Sequence, residues 1–232
     1  MSLQFAQQRP QAIFFDLDGT LVDSIPDLAA AVDLSLQDLG FAPAGEDKVR
    51  LWVGQGAKKL VLLALSYAMQ VDECQITAQD CARAHHLFLS HYAKTANKSR
   101  LYPHVWDVLH ALQRQSVRMA LITNKPQQFL PSLLDYLQIA PLFELIVAGD
   151  TLAEQKPSPL PLLHAMETMQ LTAAECLMVG DSANDIVAAN KAGVQSICVT
   201  YGYNHGEDPY QLPANLHIHN FAQLLPSLKF KQ

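Results

Sequence analysis

A repeated alternation of short apolar segments and helical segments after Pro103 is the feature that most constrains the fold of this chain. The apolar segments lack the polar–apolar alternation of a half-exposed strand, so we predict strands that are buried on both faces. Such strands, alternating with helices, are typical of a parallel sheet with helices on both sides. The predicted strands after Pro103 are Val117–Ile122, Leu145–Val147, Cys176–Val179 and Ser196–Val199. The predicted helices are Val105–Gln113, about Gln127–Leu137, a segment that starts near Pro159, and Asp185–Ala192.

One further apolar segment, Ala12–Phe15, lies near the start of the chain and is predicted to be a buried strand. Three helical patterns separate it from the other strands, with no convincing strand between them. These patterns are Pro26–Leu39, Lys59–Ala68 and Thr77–Lys94. We therefore predict an α/β fold in which residues 1–23 and 97–232 form a Rossmann-like parallel sheet core. Residues 24–96 are predicted to form an all-helical cap domain inserted into that core.

Composition excludes several classes of partner. The net charge is −6 and no dense run of Lys or Arg occurs, which disfavours binding to nucleic acid. Residues 1–10 are polar and lack the apolar stretch of a signal peptide. No segment approaches the ~18 uninterrupted apolar residues of a membrane span. We expect a cytoplasmic protein that binds neither nucleic acid nor membrane.

Polar clusters follow the predicted strands at the points where those strands end. Because ligands bind at the carboxyl ends of strands in open parallel sheets, clusters that are distant in sequence can converge there. The clusters are Asp16–Thr20, Thr123–Asn124, Lys156–Pro157, and Gly180–Asp181 with Asp185 behind it. Each has an ordinary explanation when taken singly, such as a turn, a helix cap or a solvated loop. Their joint occurrence at successive strand ends indicates a site.

The residue types in these clusters match what an aspartate nucleophile needs to attack a phosphate. A carboxylate and a phosphate dianion repel each other, so a cation must neutralise the pair. Asp16 and Asp181 offer carboxylates for Mg²⁺, which prefers oxygen ligands. Asp18 is placed to protonate a leaving group and then to activate water. Lys156 supplies positive charge and Thr123 a hydroxyl donor for the phosphoryl oxygens.

Four motifs in this order resemble those of the haloacid dehalogenase superfamily of phosphohydrolases. The motifs are Asp16–Ser24, Thr123–Pro126, Lys156–Pro157 and Gly180–Asp185. Within that superfamily the chain is most similar to the bacterial phosphoglycolate phosphatases, on the softer features Trp52–Ala57 and Thr200–Asn204. The resemblance implies a Mg²⁺-dependent phosphatase that acts on a small phosphorylated metabolite, with 2-phosphoglycolate as the leading substrate.

The resemblance also implies a role for each matching position. Asp16 is expected to be the nucleophile and a Mg²⁺ ligand, and Asp18 the general acid and base with its backbone carbonyl on the metal. Asp181 is expected to be a further metal ligand. Thr123, Asn124 and Lys156 are expected to bind the transferring phosphoryl group. The expected supporting residues are Gly19, Ser182 and Asp185, of which Asp185 orients Lys156 or a metal-bound water.

The helical insert is expected, by the same resemblance, to be a mobile cap that closes over the site and excludes water. The cap loop that faces the substrate is expected to include Gly54, Gln55, Gly56 and Lys58.

Several alternatives remain open at this stage. A sugar phosphomutase would keep the same motifs, and a phosphatase could act on another substrate such as pyrophosphate. A dehalogenase is disfavoured by Asp18, because displacement of halide leaves no alkoxide to protonate. A non-enzymatic phospho-receiver domain is disfavoured by Asp18 and by the helical insert. The sequence does not distinguish a monomer from a homodimer.

Overall fold

The computed structural model describes Leu3 and residues 9–95 and 98–228. The predicted domain boundary between residues 96 and 97 lies outside the described residues, as does most of the polar segment 1–10. The exact division into domains therefore stays a prediction. Among the described helices, none combines the length and the apolar character that crossing a membrane requires.

Strands and helices alternate along most of the described chain. The strands are β1 (Ala12–Phe15), β2 (Val22–Asp23), β3 (Arg100–Leu101), β4 (Arg118–Ile122), β5 (Leu145–Val147), β6 (Cys176–Gly180), β7 (Gln195–Val199) and β8 (Leu216–Ile218). The helices are α1 (Ile25–Asp38), α2 (Glu46–Arg50), α3 (Ala57–Met69), α4 (Ala78–Thr95), α5 (Val105–Arg114), α6 (Leu130–Tyr136), α7 (Leu160–Met169), α8 (Ala183–Ala192) and α9 (Leu224–Ser227).

The main sheet is parallel and has six strands in the order β5-β4-β1-β6-β7-β8. Every neighbouring pair in it is parallel, which confirms the predicted α/β class. All five predicted strands are present, with ends that shift by a residue at most. Strand β8 was not predicted from the sequence. It forms one edge of the sheet and is only partly buried.

Burial on both faces explains why the central strands are apolar at every position. In β1, Ile13 and Phe15 join one core cluster, to which α5, α6 and α9 contribute. The alternate residues Ala12 and Phe14 join a second cluster with side chains of α7 and α8. All four side chains are fully buried. A polar residue at any of them would lose its hydration without gaining a partner.

The predicted helical insert lies between β2 and β3, which pair antiparallel with each other at its base. It contains α1, α3 and α4 as predicted, and also the short helix α2. The apolar faces of these helices pack into a cluster of their own, and we call this bundle the cap. Two buried residues from outside the bundle, Phe129 and Tyr203, join the same cluster. The cap is therefore packed against the sheet domain in a closed arrangement.

A buried polar group fastens each of the two connections between the cap and the sheet domain. At the first connection, the Tyr203 hydroxyl donates to the Asp23 carboxylate and accepts from the backbone N–H of Ser24 at 3.0 Å. At the second, the buried carboxylate of Asp27 accepts from the backbone N–H of Ser99 at 2.7 Å and from its hydroxyl at 2.5 Å. The start and the end of the insert are thus held beside each other.

Candidate active site

The carboxyl ends of β1, β4 and β6 lie side by side, because β1 pairs with β4 on one edge and with β6 on the other. Asp16 follows β1, Thr123 follows β4 and Asp181 follows β6. Lys156 reaches the same point from the segment between β5 and α7, where its Nζ lies 2.8 Å from Asp16 Oδ1. The structure therefore brings together residues from all four polar clusters of the sequence.

Lys156 is the buried cation of the site. Its Nζ donates to Asp16 Oδ1, to Asp185 Oδ1 at 2.6 Å and to the carbonyl of Ile122 at 2.5 Å. Burial by itself would lower the pKa of this amine, but the carboxylates of Asp16 and Asp185 outweigh that effect and raise the pKa. Lys156 therefore remains an ammonium ion that fixes the orientation of Asp16.

Three buried carboxylates face one another beside this ammonium ion. Asp16, Asp181 and Asp185 each offer an oxygen, and these oxygens lie within 4.8 Å of one another. Burial raises the pKa of Asp16 to about 7, an effect that Lys156 opposes and Asp185 increases. Burial, together with the charges of Asp185 and Asp16, also raises the pKa of Asp181 well above its ordinary value. A divalent cation would relieve this repulsion, and carboxylate oxygens are the ligands that Mg²⁺ prefers.

Asp185 is fully engaged by protein donors. Its Oδ1 accepts from Lys156, and its Oδ2 accepts from the backbone N–H groups of Asp181 and Ser182 at 3.2 and 3.1 Å. The Ser182 hydroxyl also donates to this oxygen, at 2.9 Å, and the bond from the Ser182 N–H is one half of a capping box at the start of α8. Asp185 therefore contacts Lys156 directly, and its expected role in orienting Lys156 or a metal-bound water stays a prediction. Asp16 and Asp181 are then the carboxylates best suited to hold Mg²⁺.

Asp181 is positioned from two sides. The Thr20 hydroxyl donates to its Oδ1 at 2.7 Å, and the backbone N–H of Tyr203 donates to its Oδ2 at 2.6 Å. Gly19 lies so close that an added Cβ would stand 2.3 Å from Asp181 Oδ2, and its φ of +93° also favours glycine. Gly19 therefore allows the chain to approach the Asp181 carboxylate closely, and its expected supporting role stays a prediction.

Asp18 lies outside this carboxylate cluster and pairs with a different cation. Both of its carboxylate oxygens are 3.2 Å from Nζ of Lys125, which is itself buried. The same ammonium group donates to the hydroxyl of Tyr92, a residue of α4 in the cap, at 2.7 Å. A contribution of Asp18 to a metal site would come from its backbone carbonyl, as the resemblance implies, since its carboxylate is turned toward Lys125.

Thr123 and Asn124 occupy the end of β4. Thr123 lines the cavity described below, and its hydroxyl oxygen accepts from the backbone N–H of Lys125 at 3.2 Å. The Asn124 amide donates to the carbonyl of Lys156 at 2.9 Å and to that of Gly54 at 3.0 Å. Asn124 thus links the cap loop to the sheet domain, and both donors of its amide are in use in this closed arrangement.

The predicted cap loop divides between two surfaces. Gly54 and Gly56 line the inner cavity beside Asp16 and Asp18. Gln55 and Lys58 line a wider outer cleft at the seam between the cap and the sheet domain. Lys58 is exposed there. The loop therefore faces the site with its backbone and glycines, whereas its longer side chains line the approach.

A cavity of about 40 Å³ lies between the carboxylates of Asp16 and Asp18 and the cap. Its polar wall includes Asp16, Asp18 and Thr123, and its opposite wall is apolar. The apolar cap side chains in that wall are Leu28, Val53, Leu60 and Phe88. A single water needs ~10–15 Å³, so the closed site has room for only a few small groups.

Sequence reasoning missed several contacts at this site. Thr20 and Lys125 both lie within the four motifs of the sequence, so their presence at the site could have been predicted. Neither was predicted to have a role there. Tyr203 holds Asp181 through its backbone N–H, a group that nearly every residue carries and that sequence cannot single out. Tyr92 meets Lys125 across the interface between the cap and the sheet domain, which only the docked structure reveals.

Comparison with known proteins shows the family of the chain. Residues 13–199 match the family described as haloacid dehalogenase-like hydrolase. The chain is 46% identical over 222 residues to phosphoglycolate phosphatase 1 of Pseudomonas aeruginosa, covering 96% of this chain and 81% of that protein. It is 44% identical over 223 residues to the phosphoglycolate phosphatase of Colwellia psychrerythraea, covering 96% of this chain and 98% of that protein.

A similar solved structure is the crystal structure of a predicted phosphoglycolate phosphatase from Haemophilus somnus. The two chains share 36% identity and superpose with a TM-score of 0.90, covering 96% of this chain and 99% of the other. The family match spans the first strand of the sheet through β7, and thus all four motifs and the cap. The chain belongs to the haloacid dehalogenase-like hydrolase family.

Proposed function

We propose that this protein is a Mg²⁺-dependent phosphatase that hydrolyses a small phosphate monoester through a phospho-aspartate on Asp16. The observation that carries the proposal is the arrangement around Asp16. A buried ammonium ion fixes one of its oxygens, a second buried carboxylate lies close enough to share a cation with it, and a separate carboxylate, Asp18, lines the same cavity. These groups correspond to nucleophile, metal site and general acid.

In the first half of the proposed reaction, an Asp16 oxygen forms a bond to phosphorus while the bond from phosphorus to the alcohol oxygen breaks. Asp18 gives its proton to that departing oxygen. Lys156 and Thr123 stabilise charge on the phosphoryl oxygens. Bound Mg²⁺ would be held by Asp16, Asp181 and the Asp18 carbonyl, and would neutralise the repulsion between the carboxylate and the phosphate.

In the second half, Asp18 takes a proton from a water molecule whose oxygen attacks phosphorus. The bond between phosphorus and the Asp16 oxygen breaks, so that inorganic phosphate is released and Asp16 is restored. The closed cap excludes other water from the cavity, which protects the covalent intermediate until Asp18 activates the intended molecule.

We propose 2-phosphoglycolate as the substrate, which would be converted to glycolate and phosphate. Two observations support this choice. The relatives from Pseudomonas aeruginosa and Colwellia psychrerythraea, which match over 96% of this chain, are named phosphoglycolate phosphatases. The cavity is also small, which favours a substrate with a short carbon chain over a sugar phosphate.

The test is release of inorganic phosphate from a panel of esters, with Mg²⁺ and with a chelator. The panel contains 2-phosphoglycolate, β-glucose 1-phosphate and pyrophosphate, with the Asp16→Asn variant as the blank. Selective, Mg²⁺-dependent release from 2-phosphoglycolate is the expected result. Release from the other compounds alone would discard the substrate but keep the chemistry. Isomerisation of the sugar phosphate without phosphate release would replace the phosphatase with a phosphomutase.

A further inference from the structure

Lys125 is a buried cation that the proposed reaction has not used. Its side chain is 3% exposed, and it is a separate ammonium group from Lys156, which serves Asp16 and Asp185. Lys125 instead lies symmetrically against the Asp18 carboxylate, with its Nζ 3.2 Å from each oxygen. Burial of an ammonium ion costs desolvation free energy, which the contacts with the Asp18 carboxylate must offset.

The third contact of this ammonium group comes from the cap. Tyr92 lies on α4, is 1% exposed, and accepts a hydrogen bond from Lys125 Nζ at 2.7 Å. The Tyr92 ring stacks on Phe88 within the cap, with ring centroids 5.6 Å apart. It also meets Phe129 of the sheet domain edge-on at 4.8 Å. The stack on Phe88 fixes the Tyr92 ring within the cap, whereas the contact with Phe129 exists only while the cap is docked.

We infer that Tyr92 and Lys125 are positioning residues through which the closed cap holds the Asp18 carboxyl group in place for proton transfer. The inference rests on the proposed function, in which Asp18 is the general acid. Tyr92 fixes the ammonium group of Lys125, and Lys125 holds the Asp18 carboxyl group, through one oxygen when the other carries the proton that is to be transferred. When the cap opens, the ammonium group loses its cap partner, and Asp18 loses part of its restraint. Proton transfer is then efficient only in the closed, water-excluding state.

The step concerned is the first half of the reaction. The Asp16 oxygen bonds to phosphorus, the bond from phosphorus to the alcohol oxygen breaks, and the proton of Asp18 moves to that oxygen. An alkoxide that departs from an alkyl phosphate needs this proton. Nitrophenolate is already a stable anion, so its departure from p-nitrophenyl phosphate depends on it far less. A defect in the placement of Asp18 should therefore depend on the leaving group.

The experiment compares kcat/KM for 2-phosphoglycolate and for p-nitrophenyl phosphate in wild type, Tyr92→Phe and Lys125→Met. The ratio kcat/KM is chosen because it reports the steps through departure of the leaving group. Tyr92→Phe keeps the stacked ring and removes only the hydroxyl. We expect roughly a tenfold loss with 2-phosphoglycolate for Tyr92→Phe and roughly a hundredfold loss for Lys125→Met, since general acid catalysis contributes about 10²–10⁴-fold. With p-nitrophenyl phosphate, both losses should be less than about threefold.

A double-mutant cycle tests whether Tyr92 and Lys125 affect activity through the same interaction or independently of each other. If Tyr92 acts through Lys125, then adding Tyr92→Phe to Lys125→Met should cause little further loss. The matched control is Tyr67→Phe, which makes the same chemical change at an exposed tyrosine of α3 in the same cap. It should leave both activities unchanged. Thermal melting of each variant checks that the fold is retained.

Two results would overturn the inference. Equal losses of kcat/KM for the two leaving groups would mean that Tyr92 and Lys125 serve structure or substrate binding. Fully additive losses in the double-mutant cycle would mean that Tyr92 does not act through Lys125. Absence of activity of the wild type toward any phosphate ester would instead refute the proposed function itself. The two failures are therefore distinguishable in the same set of measurements.

Discussion

Replacement of Lys156 by methionine should destabilise the protein in a way that depends on pH. The variant keeps the aliphatic stem and removes the ammonium group that donates to Asp16, Asp185 and the Ile122 carbonyl. Removal of one partner from a buried ion pair costs about 3–5 kcal/mol. For a chain of this size, that loss corresponds to a fall in Tm of roughly 6–20 °C.

The sign of the pH dependence follows from the carboxylates that remain. Burial already raises the pKa of Asp16 to about 7, and Lys156 opposes that rise. Without the ammonium group, the folded-state pKa must lie higher still, above that of the unfolded chain. The folded variant then binds more protons than the unfolded chain, so its stability is greatest at low pH and is lost as pH rises through the raised pKa.

The stability deficit of Lys156→Met should therefore be about 1 kcal/mol smaller near pH 5.5 than near pH 8. The folded variant holds one more proton than folded wild type only above the wild-type Asp16 pKa of about 7, and one proton contributes about 1.4 kcal/mol per pH unit. The measurement is urea unfolding at both pH values in the presence of a chelator. Lys59→Met is the matched control, because Lys59 forms a half-exposed ion pair with Glu73 that is worth at most about 1 kcal/mol. A deficit below about 1 kcal/mol, or one that grows toward low pH, would refute this account of the site.

Three further predictions concern catalysis and metal binding. Asp16→Asn should abolish phosphate release, because it removes the nucleophile. Its Tm should stay within a few degrees of wild type or rise, because one charge is removed from a crowded acidic cluster. Appreciable residual turnover would argue against covalent catalysis. Gly19→Ala should raise the Mg²⁺ concentration for half-maximal activity by roughly tenfold or more, because the new Cβ would stand 2.3 Å from Asp181 Oδ2; an unchanged Mg²⁺ titration would remove Asp181 from the metal site. Asp18→Ala should slow hydrolysis of the phospho-aspartate, so that rapid-quench experiments with p-nitrophenyl phosphate, whose leaving group needs no proton, find more of the enzyme in the covalent form than in wild type; equal amounts with unchanged turnover would reassign the acid–base role.

The sheet could be predicted because its strands are buried on both faces, which leaves a plain apolar signal at Ala12–Phe15 and at the later strands. The strand-end clusters could be predicted to converge because parallel strands end at one edge of the sheet. The elements that escaped prediction are short or peripheral. Strands β2 and β3 have two residues each and α2 has five, too few to display a period, and β8 is a partly buried edge strand.

Contacts between the cap and the sheet domain could not be predicted from the sequence for a different reason. Asn124 was expected to bind phosphate, but nothing in the sequence shows that its amide donates to the Gly54 carbonyl of the cap. The partnership of Tyr92 with Lys125 likewise depends on how a helix of the insert docks on a loop of the sheet domain. Local patterns predict elements and their ends, whereas docking is decided by shape and packing across the whole interface.

The central claim is that Asp16 carries the phosphoryl group during turnover. The most direct measurement is rapid acid quench of Asp18→Ala after mixing with Mg²⁺ and p-nitrophenyl phosphate, whose leaving group does not need the Asp18 proton, followed by proteolysis and mass spectrometry. We expect a peptide that contains Asp16 and has gained the mass of one phosphoryl group, and no such peptide when Asp16→Asn is added to the variant. Turnover with the phosphoryl group on another residue, or labelling that survives Asp16→Asn, would contradict it.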